Sequence, residues 1–313
     1  MLAIAQVTLP FFALILCGYL AARARLLPPN AVPALNTFVL YFALPCMLLR
    51  FAARTPFDEL FNPPVFLAYL TAGLLTLLAF AGIARRVIGE PMREAAFDGL
   101  AAAWSNWGYM GFALIPALLG ARALPVVIAA GMADLLVVAS AALALASLDA
   151  RAGARRMLAA AAARVAANPL VWAIAAGSLL SLAEAPLPFT LEQFTRLLGE
   201  AAVPVALFTL GVSLYRPGTR IEGAEVAMIA VAKLVVHPYL ALLVAAYVFR
   251  LEPIEVRTLG LMAALPVAGT VYLFAERGGA NAERIAAAVL VTTALAFLSF
   301  AALAWAFGVS LAR

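Results

Sequence analysis

Apolar runs interrupted by short clusters of charge, proline and glycine dominate this chain. Ten runs stand out, at 4–22, 33–51, 63–85, 95–118, 123–147, 167–184, 194–214, 223–249, 256–275 and 284–308. A helix that crosses the hydrocarbon of a bilayer needs ~20 apolar residues. The pattern therefore predicts an all-α membrane protein with ten transmembrane helices, here called spans 1 to 10. Most connections are short, and the longest is the basic stretch from Asp149 to Arg164.

The two halves match at a nearly constant offset. Pro10 pairs with Pro169, Gly18 with Gly177 and Pro45 with Pro204, all 159 residues apart. Span 4 pairs with span 9 at 161 residues: Glu94 with Glu255, Gly99 with Gly260, Gly108 with Gly269. Five spans per half is an odd number, so the second half must enter the membrane upside down. The expected organisation is a five-helix repeat in 1–149, a cytoplasmic linker in 150–166 and an inverted five-helix repeat in 167–313. Inverted repeats of this kind mark secondary transporters.

Such transporters often build their binding site from discontinuous helices near the midplane. Spans 4 and 9 carry matching interruptions near their middles, at Ser105-Asn106-Trp107-Gly108 and at Pro266-Val267-Ala268-Gly269-Thr270. Proline removes a backbone donor and glycine permits non-helical dihedrals. Unwinding there frees peptide groups and exposes two positive half-helix ends, which favour an anion. These residues form the expected substrate site. The Asn106 amide has two hydrogens to give to a carboxylate. Read alone, either interruption is a simple kink, with Asn106 bonded to a neighbouring helix.

Three ionisable groups lie inside spans. Asp134 is in span 5, and Lys233 and His237 are in span 8. A charge near the membrane centre costs ~2.5–3.5 kcal/mol on insertion scales and is a functional hypothesis by default. An Asp134–Lys233 pair would offset much of that cost. Two roles stay open for it: a structural pair, or a coupling site for H+ or Na+ in which Lys233 takes a cation's place or Asp134 carries a proton. His237, the sole histidine, reads as a packed neutral side chain. Arg50 reads as snorkelling to the outer interface, and Glu200 as an end cap of span 7.

Composition agrees with a lipid-solvated chain: 66% of the 313 residues are hydrophobic and 12% are charged. A soluble domain carries roughly a quarter charged residues. The +5 charge is scattered in short loops and gives no nucleic-acid signal. Thirteen basic residues, including Arg85, Arg93 and Arg284, fall on one side, and seven, including Arg50, Arg54 and Arg122, on the other. The positive-inside rule makes the first side cytoplasmic and places both termini outside. The N-terminus reads as a retained helix, lacking a basic leader before its first apolar run. No HExxH, Walker A or paired-Asp motif occurs, so an enzyme, a metal site and direct ATP drive are not expected. No organic cofactor is expected either.

The order and spacing of LPCMLL (44–49), SNWGYMG (105–111), NPLVWAI (168–174), EAAVPVALFTLGVSL (200–214), KLVVHP (233–238) and LMAALPVAGTVYLFAERGGANAERIAAAVLVTT (261–293) complete the reading. Across nearly its whole length the sequence resembles the auxin efflux carrier family. That family includes plant PIN carriers and bacterial proteins described as malonate or malate carriers. The resemblance implies crossed broken helices 4 and 9, as in sodium/proton antiporter-like or bile-acid-symporter-like folds. It also implies a scaffold of helices 1, 2, 6 and 7, often a homodimer interface, and a moving core of helices 3–5 and 8–10. By the same resemblance Asn106 matches the asparagine that faces the substrate carboxylate, and Pro266 the helix-9 crossing proline. Two departures stand out: Gly111-Phe112-Ala113 replaces the family's Gly-x-Pro, and Trp107 is bulkier than its usual counterpart.

The expected function is a carrier of small organic anions, such as malonate or malate, in the bacterial inner membrane. Two rivals remain: a sodium- or proton-coupled antiporter or bile-acid-type symporter on the same scaffold, and a membrane sensor or enzyme without transport.

Overall fold

Side-chain caps, prolines and glycines mark the ends of the apolar runs, and helices fill what lies between. The computed structural model describes residues 2–28, 30–60, 62–148, 163, 166–215 and 223–308. Most of the 150–166 linker, with Arg216, Arg220 and Arg313, lies outside them. Among the described residues the structure is helical, apart from one isolated antiparallel bridge.

The principal helices are α1 (Leu2–Arg23), α2 (Ala31–Arg54), α3 (Pro63–Ile88), α4 (Met92–Ala103), α5 (Trp107–Leu119) and α6 (Ala121–Ala146). After the linker come α7 (Pro169–Leu182), α8 (Phe189–Leu214), α9 (Ala224–Val248), α10 (Pro253–Ala263), α11 (Gly269–Gly278) and α12 (Ala282–Ala306). Six of them, α2, α3, α6, α8, α9 and α12, are long and apolar enough to cross a membrane. The protein is an integral membrane protein.

The helix starts follow capping chemistry. Asn168 and Asn281 accept the Leu170 and Arg284 amides at 2.9 and 3.1 Å, satisfying donors that the first turns of α7 and α12 leave open. Glu252 and Glu255 form a reciprocal capping box at α10. Each of the runs 95–118 and 256–275 is two helices, α4 with α5 and α10 with α11. The run expected from 194 is helical from Phe189. Glu192, ahead of that run, lies in the first turn of α8 and is held by Arg50 and Arg54 of α2.

The chain divides into two compact units. One comprises Met1–Thr8, Pro63–Ala161 and Arg216–Arg313; the other comprises Leu9–Asn62 and Ala162–Tyr215. In the second unit glycines let backbones approach closely, as lipid-embedded helix contacts require. A Cβ on Gly18 of α1 would strike the Phe208 carbonyl of α8, and one on Gly177 of α7 would lie 2.5 Å from the Leu49 carbonyl of α2. Arg50 donates to Glu192 from Nε at 2.9 Å and Nη2 at 2.7 Å, joining α2 to α8. Glu200 accepts from Arg196 one turn earlier.

In the first unit α3 packs on α4 and α6, α9 on α10 and α12, and α11 on α12. Gly99 of α4 lets the Leu77 carbonyl of α3 approach; a Cβ would lie 2.7 Å from it. Its sequence partner Gly260 in α10 is equally close to Leu242 of α9. The core of this unit is built around the two interruptions.

Candidate functional site

α4 stops at Ala103 because Trp104 turns extended, with φ −82° and ψ 118°. α10 stops at Ala263, and Ala268, with φ −69° and ψ 135°, is extended ahead of α11. These two unwound stretches satisfy one another. The Asn106 amide donates to the Pro266 carbonyl at 2.9 Å, and the Ala268 amide to the Trp104 carbonyl at 3.4 Å. Ser105 and Val267 pair as an antiparallel bridge. The Val267 amide donates to Thr292 Oγ1 of α12 at 3.1 Å. Pro266 sits in the extended stretch, where its missing N–H costs nothing and its carbonyl is used. Buried backbone groups need such partners.

Each expected site residue now has a place. Ser105, Asn106, Pro266, Val267 and Ala268 are buried. Gly108 lies in the first turn of α5 and Gly269 begins α11; a Cβ on either would meet nothing within 4 Å. Thr270 is half-buried in the first turn of α11. Asn106 is 2% exposed, yet its Nδ2 has no hydrogen-bond partner. Leaving a buried donor unpaired costs about 1–3 kcal/mol. Helices α5 and α11 both begin at the paired breaks, and the first amides of a helix have no partner within it.

Trp107 is occupied with packing. Its indole meets Phe112 edge-on, with ring centroids 5.5 Å apart, and lies over Gly131 of α6. A Cβ on Gly131 would sit 2.5 Å from the ring. Gly131→Ala is therefore expected to destabilise the protein by about 1–3 kcal/mol, the usual cost of overpacking. Thermal unfolding in detergent, followed by tryptophan fluorescence, checks this; an unchanged transition would remove Trp107 from that contact.

The ionisable residues meet behind the breaks, but not as the expected ion pair. Lys233 donates to Ser105 Oγ at 2.8 Å, to the Ala263 carbonyl at 2.7 Å and bonds His237 Nδ1 at 3.2 Å. All three ammonium hydrogens are thereby used. Asp134 takes only the Ser105 amide, at 3.3 Å on Oδ2, and its Oδ1 has no partner. Ser105 thus stands between acid and base: its amide serves one and its hydroxyl the other. Tyr69 of α3 also bonds Ser105 Oγ, at 2.8 Å, and its ring lies 5.6 Å from that of His237.

Sequence reasoning missed Tyr69 and Thr292, which carry no signal as single polar atoms in apolar runs. It also missed Arg284 of α12, which holds Glu90 and, at 2.6 Å, Asp98. Asp98 did carry a signal: an acid within run 95–118 is costly in lipid unless paired.

A family model described as "Membrane transport protein" matches residues 3–304. A protein of Rhizobium meliloti (strain 1021) named "Putative malonate transporter" is 34% identical over 301 residues, 94% of this chain and 93% of that protein. The "Uncharacterized transporter YfdV" of Escherichia coli (strain K12) and that of Shigella flexneri are each 25% identical over 279 residues, 86% of both chains.

Proposed function

The chain belongs to the auxin efflux carrier family of membrane transport proteins, and from that premise we propose that it is a secondary carrier of small organic anions. The observation that carries the reading is the buried Asn106 side-chain Nδ2, left without a partner where two broken helices meet. A carboxylate is the ligand that fits this chemistry. It would accept from Asn106 Nδ2 and lie against the positive starts of α5 and α11. Gly108 and Gly269 leave room beside those starts. Malonate is the first candidate, because a relative bears a name that includes it.

The carrier has ten spans in two inverted repeats, with spans 4 and 9 crossing at their breaks. Matched glycines support this. Gly99 and Gly260 both make close helix contacts, and Gly108 and Gly269 both face open space. The unit containing α3–α6 and α9–α12 is the moving core. The unit built from most of α1 with α2, α7 and α8 is the scaffold and the homodimer surface. Alternating access follows from movement of the core. The arginine-rich side of the loops faces the cytoplasm of a bacterial inner membrane, with both termini outside.

Counterflow in proteoliposomes with labelled malonate, malate, succinate and an indole acid tests the reading. At least one anion is expected to exchange. Asn106→Ala should raise its half-saturation concentration about 10- to 100-fold, the equivalent of ~1.5–3 kcal/mol for a hydrogen bond to a charged group. Exchange of none of these anions by folded protein, or unchanged affinity in the variant, would overturn it.

A further inference from the structure

We propose that Asp134 binds a proton that crosses the membrane together with the anion, making this protein a proton–carboxylate symporter. The proposal rests on the carrier reading above and adds the coupling ion and its site.

The argument is one of charge. Lys233 and Asp134 are both fully buried, and both hold the same residue, Ser105, next to Asn106. Ionised together they sum to zero. An anion entering beside Asn106 would then add an uncompensated charge to a buried site, which is strongly unfavourable. A proton on Asp134 removes one negative charge and leaves the Lys233 ammonium to balance one carboxylate of the anion, while the second carboxylate of malonate is met by the positive starts of α5 and α11. The loaded state is therefore anion plus proton, and the empty state is the neutral Asp134–Ser105–Lys233 arrangement. The proton is taken up on Asp134 from one side and released from it on the other, so no further reactant is needed.

The surroundings of Asp134 favour a proton over a metal cation. Its Oδ2 has a single long hydrogen bond and its Oδ1 has none. That oxygen faces Gly73 of α3, where a Cβ would lie 4.0 Å away. The ionisable groups facing it are Tyr69 from α3 and Lys233 from α9. A hard cation needs a cage of oxygen ligands. Here the neighbours are an N–H donor and an ammonium group, which would repel a cation.

Lys233 is committed elsewhere and is poorly placed to be the carrier. Its three hydrogens fix the end of α10, the first break and His237 in one arrangement. It acts as the fixed positive charge and Asp134 as the variable one.

The test uses the full chain in proteoliposomes with malonate, the membrane potential clamped at zero by potassium and valinomycin. An inside-alkaline gradient is expected to drive accumulation above protein-free vesicles, about tenfold per pH unit for one proton per anion. An equal sodium gradient should drive none. In Asp134→Asn the ratio of uptake with and without the proton gradient should fall to about one, whatever exchange the variant retains. Malonate counterflow that is indifferent to the proton gradient, or driven by sodium, overturns the proton assignment and leaves the carrier reading intact. Absence of counterflow for malonate and the other three anions overturns both. Should Asp134→Asn fail to fold, the wild-type protein decides. Malonate binding in lightly buffered detergent, read with a pH dye, should take up about one proton per anion bound, and no uptake overturns the proposal.

Discussion

Lys233→Met is expected to lower the stability of the protein by about 3–5 kcal/mol, the cost of removing one member of a buried charged network. The side chain is fully buried and its ammonium is the donor to Ser105, Ala263 and His237. Methionine fills a similar volume but donates nothing. The Ala263 carbonyl then ends α10 without a partner, and Asp134 loses the positive charge held across Ser105. Thermal unfolding in detergent should show a transition lower by about 10 °C, at the ~2–4 °C per kcal/mol usual for domains of this size. Asp134→Asn in the same chain should recover part of the loss, because the uncompensated carboxylate is gone. A coupling of about 0.5–3 kcal/mol between the two positions is expected from the double-mutant cycle. Strict additivity would mean that Asp134 and Lys233 do not act on one another through Ser105.

The same network shows where sequence reading stops. Length, apolarity and the punctuation by charge, Pro and Gly place most of the helices, since each acts locally, although the runs 95–118 and 256–275 each hold two and α8 begins at Phe189. The breaks were legible for the same reason. Asn106, Gly108, Pro266 and Gly269 each disfavour a continuous helix within a turn of themselves. What these residues do to each other was not legible. That Asn106 donates its backbone amide to Pro266 depends on two segments 160 residues apart arriving side by side. Opposite charges within two spans suggest an Asp134–Lys233 pair that offsets the cost of burying either. The structure satisfies Lys233 with a carbonyl, a hydroxyl and an imidazole instead, a solution no spacing rule distinguishes from an ion pair. Arg50 shows a related limit. Its place at the end of a run does not reveal the Glu192 carboxylate, which comes within reach once α8 begins at Phe189. Trp107 read as part of the substrate site, while its ring lies on Gly131, a glycine with no signal of its own.

At the breaks themselves bulk, rather than charge, is the lever. Enlarging Gly108 and Gly269 through Ala, Val and Leu should leave folding intact and progressively remove uptake. A first carbon at either position meets nothing within 4 Å, so the substitution is not resisted by the protein. Within α5 and α11, replacing glycine by alanine adds helix propensity, by up to ~1 kcal/mol. The space that the larger side chains enter lies beside the starts of two helices next to Asn106, where the proposed function puts the carboxylate. Crowding of about 1–3 kcal/mol at Leu corresponds to a fall in affinity of about ten- to a hundredfold. Gly82 of α3 supplies the control, because a Cβ there also meets nothing within 4 Å but lies away from the breaks. Gly82→Leu should transport as the wild type does. If uptake is as insensitive to Leu at 108 and 269 as at 82, the anion does not bind beside the paired breaks. If all three fail alike, the effect is on the fold and says nothing particular to the site. Loss at 108 and 269 alone, with unfolding temperatures at or above that of the wild type, separates a filled binding site from a damaged core. Gly131→Ala should give the opposite signature, a lowered unfolding temperature at a position whose neighbour is an indole rather than open space.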